Sequence, residues 1–136
     1  SSGTDDGRPI QKRNEVKEMF DENIRVYLNS NVRALAALAE IVCSSEQAES
    51  AELKFKMIDI IIDSENDMID FIDSFSIAET DLFTVGSCLR KFLKINGEIL
   101  GYTEKLQLQG YQLGKVITAL KLETQNIKSE LFNVSE

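Results

Sequence analysis

The chain predicts an all-α protein, an elongated antiparallel four-helix bundle. Apolar residues recur at spacings of three, four and seven through most of its length. Its single proline, Pro9, stands near the start, so no later ring clash or missing N–H interrupts a helix. Leu, Ile, Lys, Glu, Gln and Ala, all at home in helices, supply much of the rest. The same pattern also allows three long helices forming an oligomeric coiled coil.

At 136 residues with 43% apolar content, one domain can bury about two thirds of its unfolded surface without metal or disulfide support. That domain is expected over 9–136. Residues 1–8 read as a flexible leader or cloning remnant.

The first helix is expected from Pro9 to Cys43. Proline suits a first turn, where its missing N–H costs nothing. Val16, Phe20, Ile24, Tyr27, Leu28, Leu35, Leu38 and Val42 form one stripe. Ala34, Ala36, Ala37 and Ala39 thin the surface for a close neighbour. A break follows at Cys43–Gln47, where Ser44 and Gln47 have capping-box spacing.

The second helix is expected from Glu46 to Ser74, with Ala51, Phe55, Ile58, Ile61, Ile62, Met68, Ile69, Ile72 and Phe75 as its apolar set. Ser76-Ile77-Ala78-Glu79 is a better capping box and opens a third helix, with Glu79 and Asp81 at the positive end of its dipole.

Beyond it the spacing does not stop. Positions 82, 85, 89, 92, 96, 99, 103, 106, 110, 113, 117, 120, 124, 127, 131 and 134 alternate steps of three and four. A turn near Gln107–Tyr111 gives four helices of similar length and is preferred. A turn at Asn96-Gly97, after Arg90, Lys91 and Lys94, gives a short third helix and a long fourth. Without a turn, one helix would carry Asn96, Thr103, Gly110 and Thr124 as polar positions on its seam, of the kind that fix register in coiled coils.

Charge is uneven. Residues 9–45 balance five bases against five acids, 46–89 carry two against eleven, and 90–136 carry seven against five. From Met57 to Leu89 there are eight acids and no Lys or Arg. Asp59, Asp63, Asp67, Asp70 and Asp73 form a candidate acidic interaction face. That face either packs beside basic neighbours in the same fold or docks a basic partner.

A net charge of −8 with dispersed Lys and Arg argues against nucleic acid and anionic lipid as partners. No apolar run of about 18 residues is present, so no membrane insertion is expected.

The chain contains no histidine and no tryptophan. Ser-His-Asp, Cys-His and helical metalloprotease arrangements are therefore impossible within it. Around Asp63 the EF-hand pattern fails, with Met68 where Gly belongs and Ser74 where Glu belongs. Gly97, Gly101, Gly110 and Gly114 lack the lysine–hydroxyl ending of a phosphate loop. Glu65 reads as a boundary glutamate on the apolar side of helix two, and Tyr27, Tyr102 and Tyr111 as boundary packing residues. No catalytic residue, cofactor or metal is expected.

Cys43 and Cys88 fall about 30 Å apart along an up-and-down bundle, too far for a disulfide. Both are expected as free, buried thiols, which points to a cytoplasmic or other intracellular setting. A secreted effector is the other reading, with Asn133-Val134-Ser135 as a formal glycosylation triplet.

The expected function is non-catalytic. It is a protein-interaction or oligomerisation module of adaptor, scaffold or effector type, working by helix packing and an acidic helix face. Its partner would be another protein with a helical or basic surface, or a second copy. The alternative is a bundle holding a small apolar ligand between its helices.

Overall fold

The computed structural model describes the backbone of residues 10–44, 51–74 and 82–135, and the side chains of 18–44, 51–74 and 83–133. It is all-α, with helices α1 (Ile10–Ser44), α2 (Ala51–Ser74), α3 (Leu82–Leu108) and α4 (Gly114–Ser135). α1 packs against α2 and α4, and α3 packs against the same two. α1 and α3 therefore face each other across the bundle diagonal.

Cross-links set the directions. Arg25 reaches Ile72 while Asn31 reaches Met68, so numbering rises along α1 as it falls along α2. Asn23 meets Glu130 and Arg33 acts on Glu123, which orients α4 the same way against α1. Gly86 lies near Leu131 and Asn96 near Thr124, so α3 also opposes α4. This is the up-down-up-down antiparallel bundle, not three long helices.

Each helix buries one seam with steps of three and four, the knobs-into-holes pattern of such bundles. On α1 the seam is Phe20, Ile24, Leu28, Asn31, Leu35, Leu38 and Val42. On α2 it is Met57, Ile61, Ser64 and Met68. On α3 it is Val85, Leu89, Phe92, Asn96, Ile99, Thr103 and Leu106. On α4 it is Ile117, Leu120 and Ile127, with Leu113 ahead of the helix and Thr124 half-buried within the run.

The α2 seam corrects the expected one. Phe55, Ile62 and Ile69 lie seven apart on an exposed flank, while Met57 and Ser64 hold the interior. The capping box at Ser76–Glu79 and most of the break at Cys43–Gln47 lie outside the described residues.

No turn forms at Asn96-Gly97, where α3 continues for three further turns. The reversal comes at Gly110, whose φ of 102° is open to glycine at little cost. Gly110 N–H donates to the Gln107 carbonyl at 3.1 Å and Tyr111 N–H to the Leu106 carbonyl at 3.2 Å. These two bonds make a Schellman motif that satisfies the last carbonyls of α3. Buried Tyr111 follows it, so it is a core residue and not a boundary one. Gly110 is thus a turn residue, not a seam position.

Candidate interaction face

Steps of three and four place side chains around α2 in a fixed order. Beside the buried seam lie Ile58, Glu65 and Ile72. Next come Phe55, Ile62 and Ile69, then Asp59 and Asp73, then Asp63 and Asp70, and last Ile60 and Asp67 on the α3 side.

The five expected acids, Asp59, Asp63, Asp67, Asp70 and Asp73, are all exposed. Asp67 pairs with Lys91 of α3 at 3.7 Å, the one place among the described residues where a basic neighbour takes up an acid of this face. Asp59, Asp63, Asp70 and Asp73 form no ion pair with any described residue, so α2 keeps most of its negative charge toward solvent.

On the other flank α2 meets α1. Arg25 lies within 2.9 Å of Asp21 on its own helix and donates to the Ile72 carbonyl in the last turn of α2. A cation there suits the negative end of the helix dipole. Arg25, Val32 and Ala39 are seven apart on α1, and Ile58, Glu65 and Ile72 are seven apart on α2, so these two rows line one seam. Glu65 is half-buried among aliphatic side chains, and that burial pushes its carboxyl above the usual carboxylate range. No described cation lies within pairing distance of it.

Just outside this seam Phe55, Ile62 and Ile69 are 65%, 48% and 41% exposed. They run about 21 Å along the helix, bordered by Glu65 on one side and the aspartates on the other.

The expected polar seam divides. Asn96 and Thr103 are fully buried, and Thr124 is half-buried. Thr103 returns its hydroxyl to the Leu100 carbonyl at 2.6 Å. Asn96 donates to Asn31 at 2.8 Å and lies 3.3 Å from the Thr124 hydroxyl, while Asn31 also reaches the Met68 sulfur at 3.2 Å. Four helices therefore meet in one polar layer. Asn31 escaped the sequence reading because its partner is 65 residues away.

Both cysteines are free, but Cys43 is exposed and Cys88 half-buried, so neither is the buried thiol expected. Cys43 lies in the last turn of α1, where its carbonyl accepts from Lys54 Nζ at 3.4 Å. Cys88 lines a groove of about 250 Å³ between α2 and α3, together with Phe71 and Phe92. A second groove of about 400 Å³ lies along α4 at Gln125, Lys128 and Phe132. Both open to solvent and neither lies in the bundle interior.

Among the described residues no helix is long and apolar enough to cross a membrane, and no three of Cys, Asp and Glu gather into a metal-holding group. No protein-family model, curated protein or solved structure matches the chain.

Proposed function

We propose that this bundle is a non-catalytic protein-interaction module and that α2 is its docking element. One observation carries the reading. α2 holds seven acids against two bases, and only Asp67 among its five aspartates is engaged by a basic side chain of the described fold. A fold that needed those charges for itself would pair them with the bases of α3. Left unpaired on one face, they repel one another and offer a field that steers a basic partner.

The test compares the parent chain with Asp63→Lys/Asp70→Lys, two exposed positions whose carboxylates form no described hydrogen bond or ion pair. Partners captured by the parent should be lost by the variant and by the parent in high salt, at unchanged melting temperature. An identical partner set for both proteins, at low and high salt, defeats the reading. So does turnover of a metabolite by the isolated chain.

A further inference from the structure

We infer that the row Phe55, Ile62 and Ile69 docks an amphipathic helix of another protein, one that carries Lys or Arg along the edge of its apolar stripe. This rests on the interaction-module reading and names the partner's chemistry.

Three features of the surface select that occupant. The row repeats every seven residues, so it presents a straight apolar track that only a second helix matches over its length. It is about 21 Å long, the reach of a helix of about 14 residues. Its outer border is acidic, with Asp59 and Asp73 beside it and Asp63 and Asp70 one step further round.

Charge then separates a foreign partner from a second copy. A two-fold pairing of this face would set the aspartates of one molecule against those of the other, and like charges across an interface are costly. A helix edged with Lys or Arg meets the same border with attraction. Glu65 adds a second requirement from the opposite side of the track. It is a partly desolvated carboxylate without a described cation, midway between Ile62 and Ile69, so an Arg or Lys at the centre of the partner stripe would gain most there.

The probe is a displayed library of helical peptides with a fixed Leu stripe and randomised residues on both edges, selected against the full chain. Lys and Arg should be enriched on the edge facing Asp59 and Asp63 and at the central position facing Glu65. Selected peptides should shift the NMR signals of Phe55, Ile62 and Ile69. Ile62→Ser/Ile69→Ser should weaken binding about 100-fold and Glu65→Gln about 3- to 10-fold.

Selection of neutral or acidic edges, or of no sequence, overturns the inference, as does concentration-dependent dimerisation through this row. Signal shifts confined to α3 and α4 overturn it while leaving the interaction-module reading intact. That broader reading falls separately, if Asp63→Lys/Asp70→Lys keeps every partner of the parent.

Discussion

Asn31 of α1 and Asn96 of α3 meet across the bundle diagonal, with Asn96 Nδ2 2.8 Å from Asn31 Oδ1. The contact joins two helices that are not neighbours in the packing order, and Thr124 and Met68 complete the layer. A polar pair inside an apolar core rewards one register, because any slip leaves both amides unpaired.

Asn96→Leu should therefore lower stability by about 1–3 kcal/mol, since it strands the Asn31 amide in the core. The double variant Asn31→Leu/Asn96→Leu should recover part of that loss, as both partners are then apolar. Denaturant unfolding of the two single variants and the double variant measures the coupling. Additive losses would show that the pair does not act as a unit.

Gly110→Ala should cost about 1–2 kcal/mol, because an L side chain in the left-handed region meets its own carbonyl. The midpoint of urea unfolding should fall with the slope unchanged. Gly97→Ala is the control. It lies in α3 with open space around it, and alanine should stabilise that position by about 0.5–1 kcal/mol.

Glu65 sets a pH dependence. Burial raises its carboxyl above 4.5, so the folded chain holds that proton more tightly than the unfolded chain does. The cost of the buried charge is complete above the raised value, eases as pH falls through it, and is gone below pH 4.5. Glu65→Gln should therefore raise the melting temperature at pH 7 and leave it unchanged at pH 4. Burial shifts Glu123 in the same direction, against an Asn126 hydrogen bond and the charge of Arg33.

Leu38→Ala should cost about 2–5 kcal/mol, since the side chain is fully buried on the α1 seam. Phe55→Ser, at a position 65% exposed, should change stability by less than about 0.5 kcal/mol. Melting temperatures of the two variants separate the seam from the outer row. A large loss for Phe55→Ser would place that ring in the core.

The two halves of the chain differed in how plainly they announced this arrangement. From Val85 to Ile127 almost every heptad position is buried, although Leu93, Ile95, Leu100, Leu108, Val116 and Leu122 lie off that seam. In α2 two rows compete. Phe55, Ile62 and Ile69 are the bulkier and more conspicuous residues, yet Met57, Ile61, Ser64 and Met68 face inward. Residue type grouped Ile61 and Met68 with the first row, and only contact with α1 and α3 separates the two. The α2 aspartates were visible as a charged face. That Asp67 alone meets Lys91 depends on which helix lies beside which, and no local spacing encodes that.

The reversal at Gly110 has one more consequence. Leu106 and Leu113, on either side of it, are seven residues apart and both buried. Seven residues return nearly to the same side of a helix, so straightening the hairpin would leave the inward-facing row unbroken. The interior is thus almost indifferent to whether the chain folds back or runs on, and the stereochemistry of one glycine makes the choice. An unfurled arm would find its missing neighbours only in another molecule. Exchange of α4 between two chains, seen as a concentration-dependent dimer by light scattering, is the form that such an arm would take.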